Sequence, residues 1–315
     1  MRRGRAVLAG ALLAASAPAW GLWDSGAQTI RSLQALYDAG RCEAVIARLE
    51  PDGMAKLSGE DLRRGYVLLG ASYEKTGRLD ETLSVYQVGV RLFPKDKDLL
   101  SRLAVLMHKA GMEEQAQPLF ERLVAVDPVS PYGHLGLAQI DAALGFLDRS
   151  ADHYEKALEA FPQDGALWRD YSEVLYRARD WLTAELAARR ALALAPADKA
   201  AALDLALILR VTGRFDEAVA LLAPLVRAGR ADAARAQALW LLEAGRDREA
   251  GAAVAALLRL APSDPLGLYV RARLQLKAGR GALAAADLRQ AAAQEGAPFT
   301  ARVCAALAAW ARGRP

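Results

Sequence analysis

Residues 111–145 read GMEEQAQPLFERLVAVDPVSPYGHLGLAQIDAALG, and the spacing inside this stretch decides the fold. It opens on Gly111 and closes on Gly145, 34 residues later. Between them stand Ala116, five after the first glycine, Phe120, nine after it, then Pro128, and Ala138, seven before the second glycine. The same landmarks recur on both sides. Turn glycines fall at Gly77, Gly111, Gly145, Gly213, Gly245 and Gly279, with Arg179 standing where a doubled step of 68 residues would place another. Gly40 begins the series and Gly313 ends it. Prolines fall at Pro94, Pro128, Pro162 and Pro196, each 34 residues after the last, and again at Pro262. Self-similarity at such a period marks an array of stacked units, each one supersecondary element long.

The columns of the repeat have a physical reading. Seven residues before the turn stands a small residue: Gly70, Ala104, Ala138, Ser172, Ala206, Ala238 or Ala272. Five after it stands another: Thr82, Ala116, Ser150, Ala184, Ala218, Ala250 or Ala284. Nine after it comes Tyr86, Phe120, Tyr154, Leu222, Val254 or Leu288, with Ala188 in one unit. Small residues let two helices approach closely, and the larger one fills the gap between them. Glycine ends the first helix because it accepts a left-handed backbone. Arginine often follows the glycine, as at Arg78, Arg214, Arg246 and Arg280, where a cation favours the carbonyl end of a helix. Proline closes the second helix and opens the next unit. Runs of alternating β-branched residues are absent, so no sheet is expected.

These columns resemble the tetratricopeptide repeat: Leu69, Gly70, Tyr73, Gly77, Tyr86 and Pro94 match its pattern, as do Trp168, Ala184, Ala191 and Pro196. The resemblance implies an all-α, right-handed α-solenoid of about seven full helix-turn-helix units over residues 63–296: 63–96, 97–130, 131–164, 165–198, 199–230, 231–264 and 265–296. A divergent unit and linker precede them at 20–62, and a capping helix follows at 297–315, where Phe299, Val303, Leu307 and Trp310 share one stripe. Two further irregularities are expected. Arg230 replaces the proline of the fifth unit and the spacing shrinks by two, which predicts a tighter junction around 228–232. The first unit ends in a long loop at 50–58.

In proteins of this family the first helices line a concave groove that holds a segment of the partner. Carried over by position, the groove of this chain presents His108, Lys109, Tyr132, Gln139, Arg169, Glu173, Tyr176 and Arg177 in its polar middle. Leu203, Leu207, Leu239, Leu242, Leu266, Tyr269 and Leu276 form an apolar trough toward the C-terminus. Tyrosine and arginine are the residues most enriched at binding hot spots. Leucines on a first helix also pack against neighbouring helices, so part of the trough belongs to the core on equal terms. Lysine and asparagine, which grip a C-terminal carboxylate in some members, are replaced by Val67 and Ala71 in the first full unit and by Ser101 and Val105 in the next.

No catalytic or metal constellation is visible. His108, His134 and His153 are the only histidines, no two stand four apart, and His134 and His153 read as structural residues on packing or outer positions. No phosphate loop exists, and neither Cys42 nor Cys304 has a histidine beside it. The two cysteines lie at opposite ends of the array, too far apart for a disulfide. Acidic pairs such as Glu113 and Glu114, or Asp216 and Glu217, open second helices, where they favour the helix dipole and are expected to cap it.

The N-terminus has the order of an export signal: Arg2, Arg3 and Arg5, an apolar run over residues 6–17, then Ala17 and Ala19 flanking Pro18. The run is too short for a membrane span of about 20 residues. Cleavage after Ala19 takes the basic residues from 41 to 38 against 37 acidic ones, which leaves no electrostatic footprint for nucleic acid. The sequence therefore predicts a non-catalytic, cofactor-free scaffold or adaptor in the bacterial periplasm, binding a protein or peptide and assisting an envelope or export complex. A carrier for an amphipathic helix or lipid-like chain, or an accessory subunit of a glycan-processing or polysaccharide-export system, stands as the alternative.

Overall fold

The computed structural model describes residues 26–50 and 52–294. Its regular elements are sixteen α-helices and one 3-10 turn, Met54–Lys56. Two compact units divide the chain, the first ending at Val126 and the second beginning at Asp127. Unit one holds the hairpins α1 (Gly26–Asp38) with α2 (Cys42–Leu49), α3 (Gly59–Lys75) with α4 (Leu79–Leu92), and α5 (Lys97–Lys109) with α6 (Glu113–Val126). Unit two holds α7 (Pro131–Leu144) with α8 (Leu147–Ala160), α9 (Gly165–Arg177) with α10 (Trp181–Leu194), and α11 (Lys199–Val211) with α12 (Phe215–Arg227). It continues with α13 (Ala231–Glu243) and α14 (Asp247–Leu260), then α15 (Pro265–Lys277) and α16 (Gly281–Ala292). Each unit is an all-α repeat solenoid. The predicted export signal and capping helix, with Cys304, lie outside the described residues; Cys42 is buried in α2.

The turns form as the spacing requires. Gly40, Gly77, Gly111, Gly145, Gly213, Gly245 and Gly279 are left-handed, with φ from 71° to 85°. Arg179 takes the same conformation at φ 65°, against the steric preference of any residue with a Cβ. The shortened junction is a further left-handed turn: Gly229, at φ 82°, ends α12, and the Arg230 N–H donates to the Leu225 carbonyl at 3.1 Å. The first hairpin is divergent as expected, with α2 only eight residues long and the loop after it holding the 3-10 turn. α3 begins at Gly59, ahead of the predicted unit start at 63.

Packing follows the columns. The small residues five after each turn, from Thr82 to Ala284, are wholly buried, and a Cβ added at Gly70 would collide with the Tyr86 ring. In the third full unit the two small columns touch directly: the Ser150 hydroxyl donates to the Ala138 carbonyl at 2.7 Å. Tyr86, Phe120, Tyr154 and Leu222 fill the space between helices, each burial contributing roughly 1.5–3 kcal/mol.

Two expectations about charge are corrected. The acids that open second helices do not cap them. Instead the turn arginine reaches forward to the carboxylate three residues on: Arg78 to Glu81 at 3.0 Å, Arg214 to Glu217 at 2.8 Å and Arg246 to Glu249 at 2.7 Å. Side-chain caps sit on first helices, two residues after the closing proline. Asp96, Ser130, Asp164, Asp198 and Asp264 each accept from a backbone N–H of the helix they start. Such a cap stabilises by about 1 kcal/mol.

Candidate partner-binding face

The predicted groove residues sit on first helices, and the structure sorts them by what holds each one. On α5 of unit one, His108 is half-buried with its Nδ1 2.7 Å from Glu113 Oε2, and Lys109 is exposed. In unit two, Tyr132 of α7 is 52% exposed, with its ring 5.7 Å from that of Phe161. Gln139 of α7 is half-buried. On α9, Glu173 is exposed and Tyr176 is half-buried, its ring meeting Trp181 edge-on at 5.2 Å.

The two arginines of α9 are tied to the framework. Arg169 lies 3.2 Å from Asp170 and 3.4 Å from Asp198, the cap of α11. Arg235 of α13 repeats the device on Asp264, the cap of α15, at 2.6 Å. Arg177 donates to the Ala142 carbonyl in the last turn of α7 at 2.8 Å. The side chains read as free hot spots therefore brace neighbouring hairpins. Replacing Arg169 loosens a junction as well as changing the face, which overturns the expectation that its loss is structurally silent.

The trough is shallower than predicted. Leu203, Leu207, Leu239 and Leu266 are half-buried and pack partly on the core, while Leu276 is 48% exposed. Leu242 and Tyr269 are each only 8% exposed and belong to the core of the last hairpins. They are not groove wall, because neighbouring helices cover that side of α13 and α15. The Tyr269 hydroxyl is held by Arg273 at 2.8 Å.

Between α9 and α11 the face is acidic. Asp204 is half-buried, and its carboxyl is pushed up to about 6, first by burial and then by Glu173, Asp198 and Asp170, against the pull of Arg169. Burial also raises Asp170, with Arg169 opposing and Glu173 adding to the shift. A cation entering here would restore both charges at little desolvation cost, with Leu203 and Leu207 as apolar flanks.

The constellation that the spacing concealed is on α7 and α8. His134 is buried, with Nδ1 2.9 Å from His153 Nδ1 and Nε2 2.8 Å from the Pro128 carbonyl. The carbonyl only accepts, so Nε2 of His134 carries the hydrogen and His153 donates between the two Nδ1 atoms. Behind them the buried Asp141 meets Arg149 at 3.1 Å and faces His153 Nε2 at 3.9 Å. Burial, followed by His134, Lys156 and Arg149, holds the His153 imidazole below its ordinary range. Among the described residues no group of three or more His, Cys, Asp or Glu is placed to hold a metal ion. No described helix is long and apolar enough to cross a membrane.

The family model of the tetratricopeptide repeat matches residues 114–165, 135–199, 172–233 and 203–265. The chain is a tetratricopeptide repeat protein. Among solved tetratricopeptide repeat proteins, it is 20% identical to YrrB, described as having an unusual peptide-binding site, with a TM-score of 0.55 over 59% of this chain and 97% of that one. A tetratricopeptide repeat protein of Parabacteroides merdae is 14% identical with a TM-score of 0.52, covering 78% of this chain and 98% of its own. At these identities the likeness is one of fold. Among curated relatives, the BBSome complex member BBS4 homolog of Drosophila melanogaster is 23% identical over 174 residues, 55% of this chain and 36% of the relative. The human protein O-mannosyl-transferase TMTC1 is 29% identical over 96 residues, 30% of this chain and 11% of that protein. The chain thus spans about a third or less of these relatives.

Proposed function

We propose that this chain is a non-catalytic scaffold of the bacterial periplasm whose first-helix face in unit two holds a segment of a partner protein during assembly of an envelope or export complex. One observation carries the reading. Tyr132, Tyr176, Leu203, Leu207 and Leu239 come from four successive first helices and keep part of their surface toward solvent beside the acidic pair Asp170 and Asp204. That combination suits a segment with basic and apolar side chains, aromatic anchors being the residues most enriched at hot spots. The peptide-binding site described for YrrB and the complex membership of the BBS4 relatives support binding as the mode of action. The arginine-led apolar run at the N-terminus supports export.

A photo-crosslinking residue placed at Tyr176 or Leu207 in living cells should trap one partner that the same residue at Arg190, on second helix α10, does not. Equal trapping from both faces would overturn the assignment. N-terminal sequencing of the native protein should begin at Trp20, and an intact Met1 would remove the periplasmic part of the reading.

A further inference from the structure

A crevice of about 830 Å³ runs between α14 and α15 of unit two, and none of the residues assigned to the groove lines it. It opens because Gly251 lies in the middle of α14. A Cβ built there finds only Leu274 Cδ1, 4.0 Å away. In the other full hairpins the equivalent position, six after the turn, carries a side chain: Leu83, Gln117, Ala151, Glu185, Val219 or Ala285. The floor is apolar, with Leu258 and Leu274 half-buried at its centre.

The rim is cationic: five of the lining residues are arginine or lysine and one is acidic. Lys277 is neutralised by Asp247 at 2.7 Å, and Arg271 by Asp287 at 2.7 Å. Arg248, Arg259 and Arg280 are exposed and make no ion pair with a described residue. They stand at both ends of the crevice, Arg248 and Arg280 at one and Arg259 at the other. From Asp247 to Arg259 the helix rises about 18 Å, the length of roughly five extended residues. Gln275, at a position that is apolar in most of the full hairpins, also lines the crevice, and its buried amide oxygen has no hydrogen-bond partner. Its last torsion is soft, so the oxygen is available to an incoming donor.

We infer that this crevice is a second docking site, for an extended peptide segment in which acidic side chains alternate with large apolar ones. Acidic groups meet Arg248 and Arg259 at the two ends, the apolar side chain lies on Leu258 and Leu274 over Gly251, and a peptide N–H supplies the donor that Gln275 lacks. A single-headed amphiphile satisfies one end of the rim only and brings no N–H. The site stands whether or not the groove binds a partner.

The probe is the fluorescein-labelled peptide Glu-Leu-Glu-Phe-Glu-Leu, with Lys-Leu-Lys-Phe-Lys-Leu as its counterpart, titrated against the full chain by anisotropy. Binding of the acidic peptide should weaken at least tenfold in Gly251→Leu, which fills the crevice while replacing a poor helix former by a good one. It should weaken as much in the Arg248→Glu, Arg259→Glu double variant, and change less than twofold in Tyr176→Ala. Circular dichroism melts verify that each variant is folded. No binding by the parent, equal binding of the lysine peptide, or unchanged binding in folded Gly251→Leu overturns the site. Equal loss in Tyr176→Ala places the peptide in the groove and likewise overturns it. Displacement of the peptide by sodium dodecanoate below its micelle threshold overturns the peptide as occupant in favour of an amphiphile.

Discussion

Asp141 and Gln275 occupy the same column of the repeat, four residues before the turn, where the other full hairpins carry Tyr73, Met107, Leu175, Leu209 and Leu241. Both interrupt an apolar position, and the two hairpins resolve the interruption in opposite ways. Around Asp141 the second helix supplies Arg149 and His153, and the first supplies His134, so the carboxylate sits in a closed network. Around Gln275 the preceding second helix supplies Gly251, which fills nothing, and an amide oxygen remains without a partner. A polar residue in a repeat core becomes a structural network where neighbouring side chains reach it. It marks an opening where they do not.

Variants can break this contrast. His134→Ala should have the largest effect, lowering stability by about 3 kcal/mol, because it leaves a cavity and strips partners from His153 and the Pro128 carbonyl. Denaturant titration measures this, and a loss under about 1 kcal/mol would show that the network is ornamental. Leucine in the shared column should act with opposite signs. Asp141→Leu removes the acceptor from Arg149 and lowers stability by about 1–2 kcal/mol, discounted from the cost of a fully buried pair because Arg149 is largely exposed. Gln275→Leu removes an unpartnered amide and raises stability by about 1 kcal/mol. Equal signs would dissolve the comparison.

Proton uptake sharpens it further. His153 binds protons less readily folded than unfolded, so its contribution is complete above the unfolded value of about 6.5 and is lost as pH falls below it toward the lower folded value. The melting temperature should decline over that window, and His153→Phe should flatten the decline. The smallest effect is expected at Gly251→Ala, a gain of about 0.5–1 kcal/mol from helix propensity alone, since the added methyl meets open space. A loss there would mean that the crevice closes in solution.

The turns were legible because a left-handed backbone selects glycine, and that selection survives at 34-residue spacing over the whole array. Even Arg179 could be placed from the doubled step, and it adopts the turn conformation at φ 65°. The binding face was legible only as a set of positions. Sidedness locates Tyr132, Tyr176 and Leu207, but the partner of each long side chain depends on the next hairpin, so the anchoring of Arg169 by Asp198 was invisible. Leu242 and Tyr269 were misplaced for the same reason, since packing between successive hairpins decides how much of a first helix is covered. His134 and His153 stand 19 residues apart and meet only because the chain folds back at Gly145. The interrupted column was the available signal: a carboxylate and an amide where leucine is customary.

The forward-reaching turn arginines have a mechanical consequence. In unit two they also cross from one second helix to the next: Arg214 meets Glu185 on α10, Arg246 meets Asp216 on α12 at 2.6 Å, and Arg189 returns the contact to Glu217 at 3.3 Å. Each such exposed pair is worth only about 0.2–1 kcal/mol, and salt screens it. Their sum opposes the parting of the second helices, while the buried columns beneath them feel no salt. Rising ionic strength therefore softens this edge without unfolding the hairpins, and unit two behaves as a spring whose stiffness the surrounding electrolyte sets.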